Sequence, residues 1–214
     1  METIELLRVV PAAFAGDPPL RSQVWGREVV LRRGDCCLIE AASGTGKSSL
    51  CGFLYGYRRD YAGAIRFDGE DIRTFGVKRW SEVRRRMLAM TFQGLRLFPE
   101  LSALDNVRLK NDLTGFRSEA WIRELFAALG IAGKRDEPLE RLSFGQRQRV
   151  AFVRMLCQPA DFLILDEPMS HLDERNAAVM AALLREERRQ RGVGIVITSV
   201  GKRLSMDYDK ILTL

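Results

Sequence analysis

Cys36-Cys37-Leu38-Ile39-Glu40-Ala41-Ala42-Ser43-Gly44-Thr45-Gly46-Lys47-Ser48-Ser49 runs from an apolar segment into a glycine-rich bend, then into a lysine and two hydroxyls. The apolar part predicts a buried strand. The pattern that follows, with Leu50, Phe53, Leu54 and Tyr57 at helical spacing, predicts a helix over Ser48–Tyr57. Between them, Gly44 and Gly46 let the backbone curl so that successive N–H groups face one anion. Ser43, Thr45 and Ser49 complete this phosphate cradle, Lys47 offers a point charge to terminal phosphates, and Ser48 offers a hydroxyl to Mg²⁺. The opening helix adds unpaired donors and the positive end of its dipole. The usual pattern, G-x-x-x-x-G-K-[ST], begins with glycine, and this chain has Ala41 there. That position does not touch phosphate, so the expected effect is on loop geometry at most.

Working outward, short apolar strands alternate with helices. Strands are predicted over Glu2–Val10, Glu28–Leu31, Ala64–Phe67, Leu88–Phe92, Asp161–Leu165, Gly194–Thr198 and Asp209–Leu214. Helices are predicted over Glu119–Leu129, Gln146–Leu156 and Asp173–Arg191, with turn material at Gly16-Asp17-Pro18-Pro19. The alternation predicts an α/β fold with a mainly parallel sheet covered on both faces. The chain, residues 1–214, reads as a single domain with a helical subdomain inserted at about 95–145 and no room for a further C-terminal domain.

At 214 residues and 46% apolar content the composition is that of a soluble globular domain. No stretch approaches the length of a membrane span, and the acidic start Met1-Glu2-Thr3-Ile4-Glu5 does not read as a signal peptide. Cys36, Cys37, Cys51 and Cys157 form no metal or disulfide pattern and predict buried reduced thiols in a reducing compartment. The net charge of +6 does not point to nucleic acid. Its densest run, Arg185–Arg191, interleaves acids as a solvated helix face does. Arg84-Arg85-Arg86 is the one purely basic triplet.

A second chemical signal is Phe162-Leu163-Ile164-Leu165-Asp166-Glu167-Pro168. Four apolar residues ending in two acids place those acids at the carboxyl edge of a buried strand, where open α/β sheets bind ligands. Asp166 suits a hard cation such as Mg²⁺. Glu167 suits a base that orients or deprotonates a water for attack on a γ-phosphate.

The third signal decides between readings. Leu142-Ser143-Phe144-Gly145-Gln146-Arg147-Gln148-Arg149 resembles the signature motif of ATP-binding cassette (ABC) ATPases, usually L-S-G-G-Q before a basic helix. Phe144 replaces the first glycine of the pair. With the cradle before it and the acid-ended strand after it, the order matches the family over nearly the whole chain. The resemblance implies a P-loop NTPase core, an N-terminal antiparallel β subdomain and an inserted helical subdomain. It further implies that Ser143, Gly145 and Gln146 close on ATP held by a second ABC ATPase subunit, in a homodimer or a heterodimer.

By the same resemblance Gln93 is the glutamine that senses Mg²⁺ and water, so the metal set is Ser48, Gln93 and Asp166, and the catalytic set is Glu167, Gln93 and Ser199. Ser170-His171-Leu172-Asp173 matches the loop that crosses the dimer interface. Phe14 is the preferred aromatic for stacking on adenine, with Trp25 as the alternative. Ser199 stands where the family usually has a histidine bonded to the γ-phosphate, which implies slower hydrolysis.

The implied cofactors are ATP and Mg²⁺, the implied partner is a membrane-spanning transporter subunit, and no nucleic acid is expected. The implied place is cytoplasmic, at the inner face of the membrane through that partner. Leu95, Leu97, Phe98 and Leu101 are many apolar residues for a loop, at the site where the family docks its partner's coupling helix. The segment Leu104-Asp105-Asn106-Val107 is similar to small subunits of the lipoprotein-releasing and macrolide-exporting type. The alternatives are a non-transport ABC-type ATPase and a low-turnover nucleotide-binding regulatory subunit.

Overall fold

The computed structural model describes residues 1–15, 21–170 and 172–214. The turn at Gly16-Asp17-Pro18-Pro19 and His171 lie outside the described residues. In chain order the elements are β1 (Thr3–Pro11), β2 (Glu28–Arg32), β3 (Cys36–Glu40), α1 (Lys47–Leu54), β4 (Tyr61–Phe67) and β5 (Glu70–Asp71). There follow α2 (Val77–Glu82), β6 (Leu88–Thr91), α3 (Ala103–Asn111), α4 (Glu119–Ala128), α5 (Phe144–Leu156), β7 (Phe162–Asp166), α6 (Glu174–Arg191), β8 (Gly194–Ser199) and β9 (Lys210–Thr213).

Two sheets result. The N-terminal one is antiparallel, in the order β2-β1-β4-β5, and the other has the order β6-β7-β8-β3-β9 with every neighbouring pair parallel. Strands β3, β6, β7 and β8 are buried on both faces because both faces are covered, and successive side chains alternate between two cores. Cys36, Leu38, Leu163, Leu165, Ile195 and Ile197 point to a core shared with α3, α4, α5 and α6. Their neighbours Cys37, Ile39, Phe162, Ile164 and Val196 point to a second core shared with α1 and the antiparallel sheet. Leu104 and Val107 of α3 and Ile122, Leu125 and Phe126 of α4 belong to the first core, so these helices are packed onto the sheet side of the molecule.

The expected strands and helices are found with ends shifted by a few residues. Two differences are larger. In the inserted block a helix precedes the one expected from Glu119: it starts at Ala103, behind an N-cap in which Ser102 Oγ accepts from the Asp105 N–H. A helix that the sequence did not announce spans Val77–Glu82 and continues as a wider π-type turn over Val83–Met87. The basic triplet lies in that turn, where Arg84 is not simply solvated: its guanidinium stacks 5.0 Å from the Trp80 ring and bonds the Tyr55 and Gly56 carbonyls.

The charged run of α6 also departs from a solvated face. Glu187 is 5% exposed and is held between Arg117 and Arg191, the latter at 2.7 Å. Arg117 stacks 3.9 Å from the Trp121 ring, and both arginines stack on Phe116 at 4.2 and 4.6 Å. The four cysteines are free and buried, and burial pushes the Cys37 and Cys157 thiols up to about 12, which keeps them protonated. Among the described residues no helix is long and apolar enough to cross a membrane.

Candidate nucleotide site

Because β3, β6, β7 and β8 run parallel, their carboxyl ends meet at one edge. Glu40 is in register with Ser199, Asp166 with Thr198, and Thr91 with Leu165. The cradle leaves β3 at this edge. Gly44 and Gly46 take φ of 83° and 96°, values open to glycine and strained for other residues. A Cβ at Gly44 would meet nothing within 4 Å, whereas one at Gly46 would lie 3.0 Å from Phe14 Cε2 and 3.2 Å from Trp25 Cζ2. Thr45 Oγ1 donates to the Ala42 carbonyl at 2.9 Å, and Trp25 Nε1 donates to the Thr45 carbonyl at 3.0 Å. Gly46, which has no side chain to cap with, is the N-cap of α1, so the first-turn N–H groups face the bend.

Lys47 is 5% exposed, a buried cation that needs partners. Its Nζ donates to the Ala42 carbonyl at 2.8 Å and the Ala41 carbonyl at 3.5 Å, and lies 3.4 Å from Glu167 Oε1. Ala41 donates its own N–H to the Ser199 carbonyl at 3.1 Å, which ties the start of the bend to β8. Ser43 is exposed, as is Ser48, whose Oγ donates to Gln93 Oε1 at 3.4 Å. Ser49 is engaged differently: its hydroxyl accepts from Arg58 at 2.7 Å.

The acid pair divides its tasks by environment. Asp166 is buried at the end of β7, and Thr198 Oγ1 donates to its Oδ1 at 2.8 Å. Burial raises the Asp166 pKa, opposed by the hydrogen bond from Thr198. Glu167 sits at φ 49°, an uncommon left-handed position for a non-glycine residue, held by its N–H bonding Thr198 O and Oγ1 at 3.2 Å each. This geometry swings Glu167 out of the strand direction toward Lys47. Thr198, which sequence reasoning passed over, therefore fixes both acids. Its signal was a hydroxyl closing an otherwise apolar strand.

The structure brings Lys47, Ser48, Gln93, Asp166 and Glu167 into direct contact or one shared residue apart. Among the described residues no hydrogen bond or ion pair joins Ser143, Gly145 or Gln146 to them. Ser143 caps α5 in a reciprocal box, its N–H donating to Gln146 Oε1 at 2.8 Å and its Oγ accepting from the Gln146 N–H at 3.3 Å. Ser199 is buried with its hydroxyl donating to the Lys202 carbonyl. Beside it a cavity of about 140 Å³ opens, lined by Glu167, Met169 and Lys202 among others. Of the two aromatics, Trp25 is 3% exposed, whereas Phe14 packs against the second core only partly buried.

The donor set fits Mg²⁺ and phosphate: a hydroxyl, an amide oxygen and a carboxylate are hard ligands, and uncapped N–H groups with a buried lysine suit an anion. The sequence profile described as ABC transporter matches residues 27–170. The chain belongs to the ABC transporter family. The lipoprotein-releasing system ATP-binding protein LolD of Geobacter metallireducens is 32% identical over 183 residues, covering 84% of this chain and 81% of that protein. The macrolide export ATP-binding/permease protein MacB of Nitrosomonas europaea is 34% identical over 186 residues. That match covers 86% of this chain and 28% of MacB, so the chain spans little more than a quarter of that relative's length. Among solved structures, a dimeric bacterial ABC transporter cassette superposes with TM-score 0.78 at 23% identity, over 92% of this chain and 87% of that one. This likeness gives the fold: an ABC cassette with a parallel core sheet and an antiparallel N-terminal sheet.

Proposed function

We propose that this chain is the ATP-binding and hydrolysing subunit of an ABC transporter, driving a separate membrane-spanning partner through ATP-dependent dimerisation. The observation that carries this reading is the contact of buried Lys47 with Glu167 at 3.4 Å, beside the Ser48–Gln93 and Thr198–Asp166 bonds. In this reading residues 1–214 act as one cassette with a helical insertion at about 95–145, working at the cytoplasmic face of the membrane through the partner. Leu95 is buried and Leu97 packs against the first core, which leaves Phe98, half exposed, and Leu101, partly buried, to meet the partner.

ATP enters with its phosphates in the cradle from Ser43 to Ser49, where Lys47 exchanges part of its hold on Glu167 for the terminal phosphates. Ser48, Gln93 and Asp166 would hold Mg²⁺, which when bound offsets charge on the β- and γ-phosphates. Phe14 stacks on the base. Glu167, freed from Lys47, accepts the proton of the attacking water. Ser143, Gly145 and Gln146 open α5, a helix end whose dipole favours an anion, and serve the nucleotide of a second subunit. Lys47→Ala tests the cradle. ATP affinity is expected to fall by about 10- to 100-fold, the weight of a charge-assisted bond, in equilibrium titration. Unchanged affinity contradicts the reading.

Ser199 favours reduced turnover, because its hydroxyl is committed to Lys202. The cavity beside it leaves room for a larger ring next to Glu167. Ser199→His is therefore expected to raise steady-state ATP turnover, by up to about tenfold for one added charge-assisted bond. Equal or lower turnover in the folded variant overturns that assignment.

A further inference from the structure

Two buried polar atoms near the site have no protein partner among the described residues: Thr91 Oγ1 and Gln148 Oε1. Thr91 is 9% exposed at the end of β6, and Gln148 is 7% exposed on α5. A buried hydroxyl or amide oxygen left unbonded is costly, and such groups in native proteins find a protein or water partner. Both residues line one cavity of about 10 Å³, together with Gln93, Phe152, Asp166 and Glu167. That volume is near the smallest that accommodates a single water, which also needs two to four polar partners. The cavity supplies them: Gln148 Oε1 accepts, Thr91 Oγ1 donates or accepts, and Asp166 and Glu167 also line it.

The other end of the same amide is already committed. Gln148 Nε2 donates to the Pro168 carbonyl at 2.8 Å, one residue beyond Glu167. That bond fixes which end of the amide faces the cavity, since the nitrogen is needed for a carbonyl. Glu167 itself is held in a strained backbone position. A strained residue stays in place only when its surroundings over-determine it: Thr198 holds the amino side, and on the carboxyl side the Ser170 N–H reaches the Glu167 carbonyl at a long 3.4 Å.

We propose that Thr91 and Gln148 form a one-water site, and that Gln148 is a positioning residue for Glu167, gripping the Pro168 carbonyl directly and β6 through that water. The bridge joins three elements: the strand leading to Gln93, the turn bearing Glu167, and the helix that begins at Ser143. It rests on the reading of Glu167 as the base. Removal of the water bridge leaves the cradle intact, so the effect falls on turnover and not on nucleotide affinity.

The test combines a structure with kinetics. A high-resolution crystal structure of the nucleotide-free protein is expected to show one ordered water within hydrogen-bond distance of Thr91 Oγ1 and Gln148 Oε1. A dry cavity overturns the proposal independently of any activity. Thr91→Val keeps shape and removes the hydroxyl. It is expected to lower kcat about fivefold, the weight of one hydrogen bond, with ATP affinity unchanged. Thr91→Ser, which restores the hydroxyl, is expected to recover most of kcat. Equal kcat in Thr91→Val and the parent protein, or a loss that Thr91→Ser shares, contradicts the positioning role. Glu167→Gln measured alongside separates the two levels: if that variant retains turnover, the reading of the base fails, while the water site stands or falls on the crystal structure.

Discussion

Glu167→Gln is expected to lower ATP turnover at least about 100-fold, the smaller end of what a positioned general base contributes, while ATP binding persists. The substitution keeps size and removes the charge that accepts a proton. It also removes the carboxylate from buried Lys47, at 3.4 Å in the parent protein. Without nucleotide, Lys47 is left with the Ala41 and Ala42 carbonyls, and the variant is expected to be less stable. ATP supplies the missing negative charge, so the stabilisation by ATP in a thermal melt is expected to be larger for the variant than for the parent. Turnover within tenfold of the parent contradicts the role of Glu167. A smaller thermal shift on ATP addition contradicts the proposed exchange of Lys47 between carboxylate and phosphate.

The second large effect lies far from the nucleotide. Glu187→Ala is expected to destabilise the protein by about 3–5 kcal/mol, the cost of stripping one partner from a buried ion pair. Two arginines then remain in the interior without their carboxylate. Arg117 keeps the Leu156 carbonyl at 3.2 Å, and Arg191 keeps the Ala160 carbonyl at 2.9 Å, but neither bond neutralises charge. Arg117 belongs to the segment entering α4, and its backbone is clamped by Asn111 through bonds of 2.9 and 3.0 Å. The pair thus fastens the helical block to α6, and its loss is expected to loosen that junction first. At about 2–4 °C per kcal/mol for a chain of this size, the melting temperature falls by roughly 6–20 °C. A fall under about 2 °C would show that the aromatic stacking on Phe116 and Trp121, and not the ion pair, holds the junction.

The parallel sheet and the chemistry on its edge were legible because both are local. The apolar runs of β3, β7 and β8 admit only strands buried on two faces, and the residues that follow them fall at one edge once the strands are parallel. The cradle and the acid pair needed no long-range information. The helix at Val77–Glu82 and the turn after it were hidden by their composition: Trp80 and Val83 are their buried residues, and Arg84-Arg85-Arg86 reads as surface. Arg84 is explained by the Trp80 ring and by the carbonyls of Tyr55 and Gly56, the latter 28 residues earlier.

The same reason hid the role of Glu187. In sequence it sits within an alternating charged run, and its partner Arg117 is 70 residues away. Thr198 and Gln148 were missed because their importance lies in which backbone groups they hold, Glu167 N–H and the Pro168 carbonyl. Spacing cannot show that. Conversely, Ser143 was singled out by motif alone. The structure adds that its hydroxyl and the Gln146 side chain form a closed capping box, leaving the helix end intact.

The central claim is that the cradle at Lys47 is one half of a composite site completed by the signature residues of a second subunit. The most direct measurement is the solution mass of Glu167→Gln, by sedimentation or light scattering, with saturating ATP and Mg²⁺ and again with ADP. A dimer with ATP that reverts to monomer with ADP, and that is lost when Ser143→Arg is added, is the predicted result. A monomer under saturating ATP, with binding confirmed in the same sample, would contradict the account.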